Sequence, residues 1–299
     1  MKLLVLLNEQ AGALAGLDPS AAQDRITRGF ADNGADAEVR RVDPARLVEH
    51  AREGMNTGVD AIVAGGGDGT INSIANAMMS SRKAFGVLPL GTHNHFAKDL
   101  HVPTDLDAAV ASLARGRIVD IPIAEVNGHA FLNFSAIGIH PQVVDERDAL
   151  RAKTDQSKLS AMFVALWRVF RNLPVHHVRL SSRGHTFARR TPSIIVCNNP
   201  YQMRAFGVAA ASVPERGLLN VYVANYATRG NVVWLMIQAL FGGLARSRNF
   251  TAMALPEIRV ETWRRKIRVS VDGEVITMRP PLYYSIRPQP LRVLVPGNA

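Results

Sequence analysis

One cysteine, Cys197, stands in the whole chain, so an internal disulfide framework is excluded and a reducing, cytoplasmic setting fits. Long hydrophobic runs are missing too. Leu3 to Leu7 is short, lacks a small-residue cleavage site and ends in Asn8-Glu9-Gln10, which reads as a buried strand rather than a signal peptide. Val232 to Leu244 is broken by Gln238 and Gly242-Gly243. It falls short of the roughly 20 apolar residues a spanning helix needs, so we expect a packed or interfacial helix there and no transmembrane segment. Internal repeats and low-complexity linkers are absent. Acidic residues are in deficit, 25 against 35 Lys and Arg, and the resulting net charge of +10 favours acidic partners such as nucleotides or phospholipid surfaces. Nucleic acid is not an expected partner, because no binding motif is visible and the basic residues are not interleaved with aromatics.

What is present is 299 residues with 47% hydrophobic content, enough for one large domain or two ordinary ones. Leu3–Leu7, Glu38–Val42, Ala61–Ala64 and Phe85–Leu88 read as strands separated by helical patterns. Asp18-Pro19 and Asp43-Pro44 each give an N-cap followed by proline at the first helical position; Gly34 closes the first helix and the second runs to about Glu53. A helix through Ala77 follows the third strand. This rhythm implies a mainly parallel sheet covered by helices. The pattern changes near Asp120. Ile121–Val126 and Ala130–Phe134 flank Asn127-Gly128, a two-residue hairpin signal. Later strands are expected at 177–181, 193–197, 219–224, 258–260, 267–271 and 282–286, with one amphipathic helix over 159–172. The second half therefore reads as an antiparallel β-sandwich.

Three segments carry chemistry. Gly65-Gly66-Gly67-Asp68-Gly69-Thr70 links a buried strand to a helix, where bare backbone N–H groups can face a phosphate and the helix N-terminus favours negative charge. It lacks the lysine of a Walker-type loop and the spacing of a dinucleotide fingerprint. Asp68 makes sense there if a cation or proton donor accompanies the phosphate. Pro89-Leu90-Gly91-Thr92-His93-Asn94-His95-Phe96 forms a second polar loop after the next strand, and ligands of open α/β sheets bind at such strand ends. His93 and His95 invite comparison with a metal pair, but no further ligand follows. Asp272-Gly273-Glu274 lies between strand runs. By spacing it is either a hairpin turn or a pair of carboxylates facing a site, one of them a general base.

Gly66-Gly67-Asp68-Gly69-Thr70-Ile71-Asn72, then Pro89-Leu90-Gly91-Thr92-x-Asn94-x-Phe96-Ala97, then Asp272-Gly273-Glu274 resemble, in order and separation, the signatures of the diacylglycerol kinase catalytic family. Within it the chain is similar to the bacterial soluble lipid kinases of YegS type, including Asn127-Gly128 with Phe131 and Asn133, and Ile137-Gly138. The resemblance implies an α/β nucleotide-binding domain at 1–122, rejoined by a returning strand within 288–299, and a β-sandwich lipid-substrate domain at 123–287. It implies ATP and Mg²⁺ as cofactors and a lipid as acceptor; the net charge of +10, with the apolar face of the 159–172 helix beside Lys158, Arg168 and Arg171, leads us to expect reversible contact with an anionic surface at the inner face of the membrane, and the sequence leaves oligomeric state open. Gly66 through Asn72, Thr92, Asn94 and Asn8 would bind the nucleotide. Glu274 would accept the proton, Asp272 would support it, and Asp68 would manage Mg²⁺ or the nucleophile.

The chain also departs from the family. The usual Asn-Pro-x-x-Gly is Asn8-Glu9-Gln10-Ala11-Gly12, the aspartate after Gly-Thr-x-Asn is His95, and a later aspartate before glycine is Arg216. The last two belong to one structural Mg²⁺ network in the family, so that site is expected to be lost as a unit, Arg216 taking the cation's place. Two competing readings follow: a pseudokinase that binds lipid or nucleotide without turnover, and a small-molecule kinase like the NAD kinases.

Overall fold

The computed structural model describes residues 1–14, 18–144, 175–198, 217–224 and 250–297. They form two compact units, Met1–Ile123 with Pro288–Ala299, and Ala124–Arg287. The expected helices over 159–172 and 232–244, and Arg216, lie outside the described residues.

The first unit begins with β1 (Lys2–Asn8), whose five residues Leu3–Leu7 are all buried because helices cover both faces of a parallel sheet. Asp18 caps α1 (Pro19–Asp32) by accepting from the amides of Ser20 and Ala21, and Gly34 turns the chain at φ 82°. β2 (Asp36–Val42) pairs parallel with β1. The helix expected from Asp43-Pro44 starts as a 3₁₀ turn, Pro44–Arg46, before α2 (Leu47–Met55). β3 (Ala61–Gly66) and β4 (Ala84–Pro89) flank α3 (Asp68–Met78) and are buried at every position. Then come α4 (His95–Asp99), α5 (Leu106–Ala114) and β5 (Arg117–Ile121). The last strand, Leu291–Val295, lies parallel to β4 and antiparallel to β5, giving the order β2-β1-β3-β4-last-β5.

The second unit is a pair of six-stranded antiparallel sheets. One contains β6 (Ala124–Val126), β7 (His129–Phe131), β9 (His176–Ser182), β10 (His185–Thr191), β14 (Glu257–Thr262) and β17 (Leu282–Ile286). The other contains β8 (Phe134–Gly138), β11 (Ser193–Cys197), β12 (Leu219–Ala224), β13 (Phe250–Leu255), β15 (Ile267–Val271) and β16 (Glu274–Met278). Val178, Leu180, Ile258 and Tyr284 from the first sheet share one core with Ile137, Ile194, Val221 and Val269 from the second, which makes the pair a sandwich. Asn127 and Gly128, at φ 47° and 83°, turn β6 into β7 as their identities require.

Two expected strands are cut differently. Ile121 closes β5, and β6 starts only at Ala124. The run Ala130–Phe134 breaks between β7 and β8, because the amides of Leu132 and Asn133 turn to a side chain, Asp272, instead of a neighbouring strand.

Candidate active site

The centre of the first unit is the start of α3. Gly67 occupies its N-cap position in extended conformation, and no side chain caps it. The first intrahelical bond runs from the Ile71 amide to the Gly67 carbonyl, at 3.1 Å. The amides of Asp68, Gly69 and Thr70 precede it and have no partner within the helix, so they carry the positive end of the helix dipole toward whatever lies in front. An anion with oxygen acceptors suits this position.

The second loop is held directly against the first. The Leu90 amide donates to the Gly66 carbonyl at 3.2 Å, and a Cβ built on Gly91 would stand 2.5 Å from Gly67 Cα. Only a residue without a side chain permits that approach. Asn94, in left-handed conformation at φ 53°, accepts from the Gly91 amide at 2.9 Å and donates to the carbonyls of Gly91 at 2.7 Å and Pro89 at 3.3 Å. Across the junction the Asp68 carboxylate accepts from the His95 amide at 2.8 Å through Oδ1. Phe96 stacks on Phe85 with ring centroids 6.3 Å apart, tying α4 to β4. Hydrogen bonds and ring stacking therefore tie the two loops and α4 together.

These contacts redistribute the expected nucleotide set. Asn94 has both its donors and its acceptor engaged by its own loop, so it shapes the loop rather than presenting an amide to a ligand. Ile71 leaves the binding set: its side chain is in the core, and its amide is taken up within α3. Asn72 is buried as well. Gly66 and Gly67 supply the turn, while Asp68, Gly69, Thr70 and Thr92 remain accessible. Asn8 acts at one remove. Its Nδ2 donates to Thr70 Oγ1 at 2.8 Å and its Oδ1 accepts from the Gln10 amide at 2.9 Å. Thr70 Oγ1 is thus an acceptor from Asn8, which leaves its own hydrogen free to be donated outward.

Asp68 sets the cation chemistry available. Mg²⁺ is characteristically held by one or two carboxylates together with substrate phosphates and water. With one oxygen on the His95 amide and the other unengaged by any described residue, Asp68 fits that role beside a nucleotide. A dedicated protein cage is a different matter: among the described residues no three His, Cys, Asp or Glu side chains gather in metal-binding fashion. His93 and His95 stack at 5.5 Å with their planes 11° apart. Burial pushes the His95 imidazole below its ordinary pKa; Asp68 pulls it up, while His93 and Lys98 reinforce the depression. Burial therefore disfavours the charged form of the imidazole at position 95.

In the second unit Asp272 and Gly273, at φ 47° and 93°, form the tight turn that joins β15 to β16. The hairpin-turn reading holds for Asp272, and its carboxylate is taken up by backbone amides. Its Oδ2 accepts from the Leu132 amide at 2.7 Å, and its Oδ1 from those of Asn133 at 2.9 Å and Phe134 at 3.0 Å. The Asp272 amide in turn donates to the Phe134 carbonyl. This carboxylate organises the junction of β7 and β8, a role the sequence did not disclose, since its partners lie some 140 residues away. Glu274 opens β16 with its side chain exposed and unpaired among the described residues. Of the two acids, it is the one free to take a proton.

Residues 2–126 match the family described as the diacylglycerol kinase catalytic domain, and residues 135–295 match the YegS C-terminal NAD kinase beta sandwich-like domain. The chain belongs to the diacylglycerol kinase catalytic family, in its YegS-like form. Proteins named "Probable lipid kinase YegS-like" from Yersinia pestis (strain Pestoides F) and Yersinia pseudotuberculosis serotype O:1b (strain IP 31758) are 40% identical over 116 residues. That segment is 37% of this chain, and the chain covers 38% of the length of those relatives. A crystal structure of a diacylglycerol kinase from Bacillus anthracis str. Sterne superimposes with a TM-score of 0.73 at 18% identity, covering 98% of this chain and 96% of that one. A second crystal structure from that organism gives 0.75 at 21% identity, covering 96% and 94%. At such identities these structures speak for the fold. The diacylglycerol kinase family model spans both loops of the first unit, and the YegS-type model spans the Asp272 turn.

Proposed function

We propose that this protein transfers the γ-phosphoryl group of ATP to a hydroxyl of a lipid, diacylglycerol or a related lipid alcohol. The observation that carries the reading is the uncapped N-terminus of α3, clasped to the second loop through Asp68, within a diacylglycerol kinase catalytic domain. Phosphoryl transfer depends on positioning and charge stabilisation more than on covalent chemistry, and this loop offers both. In the proposed reaction the lipid oxygen bonds to the γ-phosphorus as the bond from phosphorus to the β,γ-bridging oxygen breaks. ADP carries away that electron pair, and Glu274 accepts the hydroxyl proton. Mg²⁺, bound with the nucleotide, would neutralise phosphate charge, and Asp68 would hold it. The amides of Asp68, Gly69 and Thr70 and the Thr70 hydroxyl would orient the phosphates. The first unit is then the ATP-binding domain and the second the lipid-substrate domain. No helix among the described residues is long and apolar enough to cross a membrane. A net charge of +10 supports reversible contact with an anionic bilayer from the cytoplasmic side.

The test is transfer of label from γ-labelled ATP to a mixed lipid extract. A chloroform-soluble labelled product is expected, and label confined to water-soluble species overturns the reading. The neutral ring of His95 beside Asp68 favours one alternative, binding without turnover. Calorimetric ATP binding with no labelled lipid under any of these conditions would select it.

A further inference from the structure

The second unit carries a basic hollow unrelated to the loops above. On β9, buried Val178 and Leu180 alternate with exposed His177 and Arg179. Antiparallel register sets Arg190 of β10 beside His177, and Glu261 of β14 beside Arg179. Where β14 leaves the sheet, Trp263-Arg264-Arg265 complete a pocket of about 560 Å³. Five arginines (179, 189, 190, 264 and 265) line it against one carboxylate, Glu261. That carboxylate is already shared by Arg179 at 3.9 Å and Arg259 at 2.5 Å. No described carboxylate pairs with Arg190, Arg264 or Arg265.

Charge on an open sheet edge protects it from pairing with other chains, which accounts for Arg189 and Arg190 on the edge strand β10. It does not account for two arginines in a loop, nor for Trp263, which is 89% exposed beside them. An indole placed in water loses the benefit of burying its apolar surface. Indole rings settle at the headgroup level of bilayers, and arginines there meet lipid phosphates. Binding of a free phosphate would use the arginines and leave the indole without a role.

We propose that this hollow docks the protein on anionic phospholipid bilayers, with headgroup phosphates taken by Arg190, Arg264 and Arg265 and Trp263 inserted among the headgroups. The inference rests on the reading of the protein as an enzyme of lipid at a membrane, and names the surface that brings it there.

The experiment is co-sedimentation at low salt with vesicles of phosphatidylcholine, and of phosphatidylcholine with phosphatidylglycerol. The wild type is expected to bind only the latter, with a blue shift in tryptophan emission. Each basic residue near an anionic surface contributes about fivefold to partitioning. Arg264→Gln/Arg265→Gln should therefore weaken binding roughly 25-fold, and Trp263→Phe should remove the blue shift. Arg28→Gln/Arg52→Gln, exposed in the first unit, removes the same charge and should weaken binding less than about threefold. Undiminished binding by the Arg264/Arg265 variant, or equal loss in both double variants, overturns the proposal. So does stabilisation by inorganic phosphate that needs Arg264 and Arg265 but comes without vesicle binding. Transfer to detergent-dispersed diacylglycerol is read separately, and the hollow variants should match the wild type there. If the wild type transfers nothing yet binds vesicles through this hollow, the kinase reading fails and the docking surface stands.

Discussion

Asp68, at the start of α3, and Asp272, in the turn between β15 and β16, both accept backbone amides from a distant segment, yet their chemistry diverges with the number of amides. Asp68 takes one, on one oxygen; Asp272 takes three, on both. Asp68→Asn keeps an oxygen for the His95 amide and loses only the charge. Phosphoryl transfer should fall below detection while the melting temperature stays near wild type, and retained activity would remove Asp68 from the reaction. Asp272→Asn instead turns an NH₂ toward backbone N–H groups, and a buried donor left without an acceptor costs ~1–3 kcal/mol. Its main signature should be a lower denaturation midpoint. Glu274→Gln should lower kcat by ~10²–10⁴-fold with ATP affinity and stability nearly unchanged, as for loss of a general base. If Glu274→Gln keeps full kcat and Asp272→Asn loses it without destabilisation, the two roles are reversed. The identities of these acids were legible in the sequence. Their hydrogen bonds were not, because Leu132 to Phe134 meet Asp272 through main-chain atoms that carry no sequence signature.

At the scale of elements, the loops after β3 and β4 were legible because glycine and asparagine are demanded by geometry. Gly34, Asn127 and Gly128 sit at positive φ where the turn signals put them. Strands with alternating or continuous apolar residues were equally plain: 193–197, 219–224, 267–271 and 282–286 match residue for residue. β10 was not seen, since six of its seven residues are polar, charged or small and it lies at an edge with little to bury. The strand run expected after the Asp272 turn is β16, whose end the short, mixed pattern did not mark. The contact of Gly67 with Gly91 could not be read at all, and it gives a prediction at this scale. A Cβ at Gly91 would force the two loops apart, so Gly91→Ala should destabilise by ~1–3 kcal/mol and weaken ATP binding. Gly69→Ala is the contrast. Nothing lies within 4 Å of its Cβ position, so thermal stability should hold or rise slightly. If the amides of this turn cradle phosphate, however, the added methyl should still reduce ATP affinity in calorimetry. Unaltered affinity in Gly69→Ala would move the phosphates elsewhere.

For the whole molecule, buried titratable groups of opposite type set how stability follows pH. Asp99, in α4 behind the second loop, is pushed up from an ordinary 3.8 to about 7 by burial alone, and its Oδ1 has no hydrogen-bond partner among the described residues. The folded protein therefore holds a proton on Asp99 that the unfolded chain has released. Its contribution is fully favourable below about pH 4 and is lost as pH rises through 7. His176 and His95 act in the opposite sense. Burial comes first for both; for His176 the charge of Arg264 adds to it, and both imidazoles lie below their usual 6.5. Their neutral forms favour the fold above pH 6.5, and that stability fades on acidification through the lowered folded values. Below pH 6.5 the two slopes oppose. Asp99→Asn removes one of them. Relative to wild type its melting temperature should rise progressively from pH 4 to pH 7 and level off above, because asparagine mimics the protonated acid but never ionises. Thermal unfolding of both proteins at half-unit intervals across that window measures the difference. An offset independent of pH would mean that Asp99 keeps its charge in the folded state, with solvent or a cation reaching the inner side of α4.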